Sequence, residues 1–156
     1  MRSPYLQGSV VESAVGLVLT ESGAQRNAMT VSFFSEVAHY PTALWVSIAD
    51  DSYTHELIEA TDRFSLIVLH KGQGDVARAC GVASGRDTDK CASLNLYRAH
   101  QEFWFLDGAL ASVACRVRSS HAAEKHTLFI ADILAAEFET RSRIRRHLAS
   151  ACSARG

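Results

Sequence analysis

The stretch ALASVACRV (residues 109–117) decides the fold, because apolar and polar side chains alternate along it as in a β-strand with one buried face. Val113 and Cys115 fall on one face of this strand, and Arg116 falls on the other. The next apolar stretch, HTLFIADILAAEF (126–138), follows after a short connection, so we expect the two stretches to pair as an antiparallel hairpin.

Four more strands are predicted before this hairpin. Residues 10–20 alternate loosely and predict a half-buried strand, SGAQ (22–25) supplies a turn, and AMTVSFF (28–34) returns as the partner strand. ALWVSIA (43–49) and RFSLIVL (63–69) are short apolar runs typical of strands covered on both faces. Most of the apolar residues therefore lie in segments of strand length.

Two segments change to helical spacing. YTHELIEAT (53–61) places Leu57 and Ile58 at helical positions, and GQGDVARAC (72–80) predicts a short helix after a glycine turn. Residues 81–100 are polar and weakly patterned, which predicts a loop with a helical turn. Six or so strands without regular helical crossovers indicate a mainly β protein, an antiparallel barrel with two short helices.

Length and composition limit the classes of protein. A chain of 156 residues predicts a single domain, with a core at about 10–138 and a basic tail at 139–156. The formal charge of -1 gives no basic footprint for nucleic acid, and no apolar run is long enough to span a membrane. The N-terminus lacks the apolar run of a secretory signal, and the four cysteines form no C-x-x-C, so we expect a cytoplasmic protein with reduced thiols.

Two local motifs suggest sites, and each also has a plainer structural explanation. GQGDVA (72–77) has the G-x-G-x-x-A spacing of a dinucleotide-binding turn, but no βαβ unit surrounds it, so its glycines are read as ending a strand. In DDSYTHELI (50–58), Ser52 and Thr54 stand at a helix start, where they form an anion site or simply cap the helix. The seven histidines show no spacing of a metal site, and no metal is expected.

Several segments taken together resemble the flavin reductase-like family of FMN-binding split barrels. They stand in the order of the family from about residue 10 to residue 138. The segments that carry the resemblance are NAMTVSFF (27–34), Pro41 before LWVSI (44–48), SYTHELI (52–58), RFSLIVLHKGQGDVARACG (63–81), SGRDTDK (84–90), LDGALASVACRV (106–117) and HTLFIADILAAE (126–137).

The resemblance implies a homodimeric split barrel that binds FMN, with FAD as the second possible flavin, near the subunit interface. In the family, the phosphate lies at the positions of Ser52 and Thr54, and His126 stands near the flavin or the nicotinamide. Lys90 is a weaker candidate for a phosphate or interface contact. The cofactor-binding positions carried over from the family are Asn27, Ala28, Met29, Thr30, Ser32, Ser47, Ile48, Ala49, Ser52, Thr54 and Lys90.

The function implied is that of an NAD(P)H-dependent flavin reductase. NADH or NADPH would be the co-substrate, hydride would pass from the nicotinamide to flavin N5, and a partner monooxygenase would receive the reduced flavin. Because the cofactor carries this reaction, the lack of a nucleophile or acid–base pair in the sequence is consistent with it. Two further functions stay open, that of a non-enzymatic FMN-binding electron carrier and that of a split barrel that binds another ligand such as haem.

Overall fold

The computed structural model describes residues 11, 13–38, 42–100 and 102–139, which form nine strands and two α-helices. A one-turn 3₁₀ helix at Lys71–Gln73 precedes the second α-helix. The strands are β1 (Gly16–Ser22), β2 (Gln25–Val31), β3 (Phe34–Glu36), β4 (Ala43–Ala49), β5 (Arg63–Val68), β6 (Leu96–Ala99), β7 (Phe103–Leu106), β8 (Ala111–Ala123) and β9 (His126–Phe138), and the helices are α1 (Tyr53–Thr61) and α2 (Gly74–Val82).

Seven strands form one antiparallel sheet in the order β2-β1-β5-β8-β9-β4-β3, which curls into a half-barrel. The expected hairpin is confirmed as β8 and β9, each 13 residues long. Glu124 and Lys125 connect them with φ angles of 50° and 65°, as a two-residue turn of the I′ type requires. The mainly β class and the barrel-like architecture predicted from the sequence are therefore confirmed.

The sheet has an apolar core on each of its two faces. Val18 of β1 belongs to the inner core with Ile58 of α1, whereas Leu17 and Leu19 belong to a second core that includes Cys80 of α2. Because successive side chains of a strand point to opposite faces, β1 is buried on both sides, and the expectation of a half-buried strand is wrong. Helix α2 and the segment after it pack against Leu17 and Leu19 and bury this second face of β1.

A second sheet was not predicted. Strands β6 and β7 pair as a separate two-stranded hairpin, where residues 81–100 were expected to be loop with a helical turn. The prediction failed because each strand is only four residues long, too short to show a period, although Phe103 and Phe105 are buried in a third, small core. The described part of the chain thus forms nine strands in place of the six or so expected.

Some expectations fall on parts of the chain that the structure does not describe. These are the N-terminal residues 1–10, Pro41 of the family pattern, and the basic tail from 140 onward with Cys152. Within the described residues, no helix is long and apolar enough to cross a membrane.

Candidate functional site

The start of α1 borders a cleft that Tyr53 and Glu56 line. Ser52 is the N-cap, and its hydroxyl oxygen accepts a hydrogen bond from the amide of His55 at 3.1 Å. The amides of Tyr53 and Thr54 lie in the first turn, outside the hydrogen-bond pattern of the helix. Ser52 therefore caps the helix, and the turn that it caps offers N–H groups and the positive end of the helix dipole.

Asn27 of β2 lies buried beside this helix start. Its side chain is 3% exposed, and Nδ2 donates to the Thr54 hydroxyl oxygen at 2.9 Å. Its Oδ1 atom is buried without a hydrogen-bond partner. A Cβ at Gly85 would stand 2.0 Å from that oxygen, so glycine lets the loop backbone approach the amide. An orphaned buried acceptor is costly, and it suits a ligand that brings a hydroxyl donor.

A cleft of about 550 Å³ opens at this place, between the β1–β2 hairpin, the start of α1 and the loop before Lys90. We call it the helix-start cleft. The Arg86 guanidinium lies 5.4 Å from the centroid of the Tyr53 ring and donates to the Glu56 carboxylate at 3.0 Å. The lining residues are Ala24, Gln25, Arg26, Tyr53, Glu56, Gly85, Arg86, Asp87, Thr88 and Asp89.

A second group of predicted site residues lies at the ends of β4 and β9, outside the lining of the helix-start cleft. The Ser47 amide donates to the Phe33 carbonyl at 2.9 Å, and Ala49 lies directly opposite His126 in the sheet. The half-buried His126 ring contacts the Phe33 ring edge-on, with centroids 6.3 Å apart. Its Nδ1 atom lies 3.3 Å from the carbonyl oxygen of Glu124. A histidine is thus held at the end of the sheet from which α1 starts.

A hydrogen-bond chain that runs from the buried His55 to the exposed Asp50 joins α1 to β9. His55 of α1 is 8% exposed, and its Nε2 atom lies 2.8 Å from the Thr127 hydroxyl of β9. That hydroxyl donates in turn to Asp50 at 2.8 Å. Because the single hydroxyl proton goes to Asp50, Nε2 of His55 must carry a proton and donate it to Thr127. The chain fixes the helix start relative to the strand that carries His126.

Other predicted site residues point elsewhere. Ala28 is fully buried in the core beneath α2, and the Thr30 hydroxyl on the same face donates to the Ala77 carbonyl of that helix. Lys90 is buried as well, and its ammonium donates to the Cys80 carbonyl at 2.9 Å. Burial lowers the pKa of the Lys90 amine, while the Cys80 and Cys91 thiols act in the opposite direction. These three residues hold α2 and its following loop.

The remaining predicted residues are divided between core and surface. Ile48 is fully buried in the inner core, Met29 packs against that core, and Ser32 is half-buried just after β2. Alternate side chains of these strands face opposite sides of the sheet, so the predicted residues do not share one surface. Whether each of these residues binds a ligand stays a prediction.

Sequence reasoning overlooked Gly85, Arg86 and His55. Each stands inside a segment that carries the family resemblance, SGRDTDK or SYTHELI, but none was singled out. An arginine after a glycine in a polar loop is a usable signal for an anion site. The buried pairing of His55 with Thr127 has no such signal, because the two residues are 72 positions apart.

The fold and the cleft define a class. The curled antiparallel half-barrel is similar to the fold of solved flavin reductases and FMN-binding proteins, and the class is that of a flavin oxidoreductase. The family model described as "Flavin reductase like domain" matches residues 8–149. The chain belongs to this family.

The chain is also similar to individual proteins of differing names. The chain is 25% identical to an actinorhodin polyketide dimerase of Streptomyces coelicolor over 151 residues, which covers 94% of this chain and 84% of the relative. It is 23% identical to an NADH-dependent FAD reductase of Streptomyces globisporus over 121 residues, covering 76% of this chain and 66% of the relative. A solved FMN-binding protein from Thermus thermophilus has a TM-score of 0.80 at 25% identity, covering 93% of this chain and 86% of that one.

Proposed function

We propose that this protein is an NAD(P)H-dependent flavin reductase that binds FMN or FAD in the helix-start cleft. The observation that carries the proposal is the meeting of two features, the capped start of α1 and the orphaned oxygen of Asn27 beside it. One offers donors to an anion, and the other offers an acceptor to a hydroxyl. A flavin nucleotide carries both complements, a phosphate and a ribityl chain.

The donor set at the helix start fits a flavin phosphate. The first-turn amide of Tyr53, which lines the cleft, would hold its oxygens, and the Ser52 hydroxyl, whose oxygen already accepts from His55, keeps its proton free to donate. Arg86 is a nearby cation, which donates to the exposed carboxylate of Glu56 and to the carbonyl of Asp51. A phosphate would compete with that carboxylate for the guanidinium, since both suit its paired N–H donors.

The rest of the cofactor would extend past the residues that line the helix-start cleft. Oδ1 of Asn27 would accept from a ribityl hydroxyl, which removes the cost of a buried unpaired oxygen. The ends of β4 and β9, with Ser47, Ala49 and His126, would lie beside the ring system. His126 would position the nicotinamide or the flavin ring, because its own ring is held by Phe33 and not by a core partner.

The proposed reaction requires the chain to position the flavin and nicotinamide rings, and it does not require a nucleophile from the chain. When bound, the flavin supplies the hydride acceptor for reduced nicotinamide. The residues of the chain hold the two rings in contact and exclude water, and orientation of this kind contributes much of the rate in bimolecular reactions. The proposed cellular role is to supply reduced flavin to a partner monooxygenase, and the proposed location is the cytoplasm.

A homodimer is part of the proposal. Strand β3 is an edge of the main sheet, and beside it Phe33 and Val37 are 47% and 55% exposed. Large apolar side chains at an open sheet edge are typical of surfaces that associate. Light scattering coupled to size exclusion should give twice the mass of the chain, and Phe33→Ser with Val37→Ser should shift it towards the monomer. A monomeric wild-type protein would contradict this part.

The decisive experiment is steady-state oxidation of NADH and of NADPH with FMN, FAD and riboflavin in parallel. We expect FMN or FAD to accelerate oxidation well above the rate of free flavin with no protein. Riboflavin should bind more weakly, because it lacks the phosphate that the helix start would hold. A rate no higher than that of free flavin, for all three flavins, would refute the reductase.

A second candidate is a non-enzymatic FMN-binding electron carrier. The resemblance to the FMN-binding protein of Thermus thermophilus favours a carrier over a haem-binding split barrel, because that match covers most of both chains. A carrier would be purified yellow and would oxidise NAD(P)H little. A Soret band in place of flavin absorbance would instead indicate haem.

A further inference from the structure

One side chain connects two walls of the helix-start cleft. Arg86 belongs to the loop that forms one wall, and its guanidinium reaches the start of α1, which forms another. It donates to the Glu56 carboxylate at 3.0 Å and to the Asp51 carbonyl at 3.3 Å, and it lies 5.4 Å from the centroid of the Tyr53 ring. Arg86 therefore ties the loop to the helix start through three contacts.

Glu56 places a carboxylate in the part of the molecule where a flavin phosphate would bind. It stands in the first turn of α1, lines the cleft, and has a side chain that is 64% exposed. A carboxylate in the first turn interacts favourably with the positive end of the helix dipole, as a bound phosphate would. The helix start and Arg86 thus already serve an anion that belongs to the chain itself.

The lining of the cleft carries more negative than positive charge. Its two arginines, Arg26 and Arg86, stand against three carboxylates, Glu56, Asp87 and Asp89, which gives a formal charge of -1. Arg26 also has a carboxylate partner, since Asp89 lies 4.0 Å from its guanidinium. Because like charges repel, a phosphate that enters this cleft meets repulsion as well as hydrogen-bond donors.

The ion pair between Glu56 and Arg86 is one that a phosphate can displace. Both side chains are well exposed, and exposed ion pairs contribute little to stability. Displacement frees the guanidinium, but Glu56 is fixed to the first turn of α1 and keeps its charge beside the bound anion. The carboxylate therefore reduces the affinity for the phosphate even after the ion pair is broken.

We propose that Glu56 lowers the affinity of the helix-start cleft for phosphorylated flavins, so that the flavin is exchanged as a substrate and not retained as a prosthetic group. This inference rests on the proposed function. Glu56 acts by competing for Arg86 and by repelling the phosphate. A reductase that supplies reduced flavin to another protein has to release it, and changes of affinity at one site act mostly through the dissociation rate.

The first test compares flavin affinities of the wild type and Glu56→Gln by fluorescence titration at low ionic strength. Removal of the charge should tighten FMN binding about three- to tenfold, while the affinity for riboflavin, which has no phosphate, stays within about twofold. Glu59→Gln is the matched control, because Glu59 lies on the same helix, is also 64% exposed and does not line the cleft. Unchanged FMN affinity in Glu56→Gln, or an equal gain in Glu59→Gln, would overturn the proposal.

The second test separates charge from side-chain shape. Glu56→Asp retains the carboxylate, so it should bind FMN more weakly than Glu56→Gln does. At about 1 M salt the screening length falls to about 3 Å, so the FMN affinities of the wild type and Glu56→Gln should converge to within about twofold. A gain that persists at high salt, or that is equally large for riboflavin, would indicate a reshaped cleft and contradict a charge effect.

The third measurement follows flavin release by rapid dilution of the FMN complex. Dissociation should be slower in Glu56→Gln by about the same factor as the gain in affinity. Tighter binding with an unchanged dissociation rate would overturn the role of Glu56 in exchange. A wild type that binds no flavin would refute the reductase and this role together. A wild type that reduces flavin and binds FMN as tightly as Glu56→Gln would refute the role of Glu56 alone.

Discussion

At the scale of single residues, the contact between Gly85 and Asn27 gives the sharpest prediction. Gly85→Ala would place a methyl group 2.0 Å from the Asn27 oxygen, and the buried amide can move only by losing its bond to Thr54. We expect a loss of about 1–3 kcal/mol in unfolding free energy, the cost of leaving buried polar groups unpaired. Flavin affinity, measured by fluorescence titration, should fall with it.

The double variant supplies the control for that prediction. Asn27→Ala removes the atoms with which the new methyl group collides. Gly85→Ala should therefore lower the unfolding free energy much less in an Asn27→Ala background than in the wild type. Such non-additivity is expected only for residues in contact. Strictly additive effects in chemical denaturation would show that the loop and β2 are not packed as the structure has them.

His126 gives a second residue-scale prediction. Its ring contacts Phe33 at the surface of the site and carries no core packing, so His126→Ala should lower the turnover number more than the flavin affinity. Steady-state kinetics with saturating flavin, beside a flavin titration, would measure both quantities. Equal losses in both would indicate that His126 merely supports the end of β9.

At the scale of elements, the start of α1 combines a structural cap with a proposed phosphate site. Ser52→Ala removes the cap, which typically costs about 1 kcal/mol of stability. Combined with Thr54→Ala, it should weaken FMN binding by roughly 1–3 kcal/mol, the range for hydrogen bonds to charged groups. Riboflavin affinity should change less, because riboflavin has no phosphate. Unchanged FMN affinity in a titration would leave Ser52 and Thr54 as helix-capping residues alone.

Helix α2 shows how one buried side chain secures an element. The Lys90 ammonium donates to the carbonyl of Cys80, one of the last carbonyls of the helix, which have no partner within it. A cation there also interacts favourably with the negative end of the helix dipole. The geometry gives Lys90 a role in holding α2 in place. The family resemblance implies that Lys90 contacts a phosphate, and this contact stays a prediction.

At the scale of the whole molecule, burial of thiols predicts a pH dependence of stability. Burial raises the pKa of the Cys91 thiol from 9.0 to about 11. The folded state therefore binds this proton more tightly than the unfolded chain, so the stabilisation is complete below pH 9 and declines as pH rises towards 11. Chemical denaturation across this range should show a loss of up to about 2 kcal/mol from Cys91.

The contribution of Cys91 can be separated by substitution. Cys91→Ala removes the titrating group, so its stability should fall less steeply above pH 9 than that of the wild type. Burial also raises the pKa of Cys80 and of Cys115, and these thiols contribute in the same direction in both proteins. Identical slopes for wild type and variant would contradict the assignment to Cys91.

The sequence by itself determined the elements with strong local patterns. The strand at 43–49, the helix at 53–61 and the long hairpin ending near residue 138 appear where their periods predicted them. Turn chemistry helped as well, since SGAQ supplies the connection between β1 and β2, with Gly23 at a φ of 60°. Each of these signals is local, because period and turn residues act over a few neighbouring positions.

Only the tertiary structure decided which elements cover each face of the sheet and which distant side chains come into contact. Burial of β1 on both sides depends on α2, which follows it by more than fifty residues. The pairing of Asn27 with Thr54, of His55 with Thr127 and of Trp104 with Glu21 joins positions 27, 72 and 83 residues apart. Such contacts follow from strand order and the curl of the sheet, and no local period of the sequence encodes them.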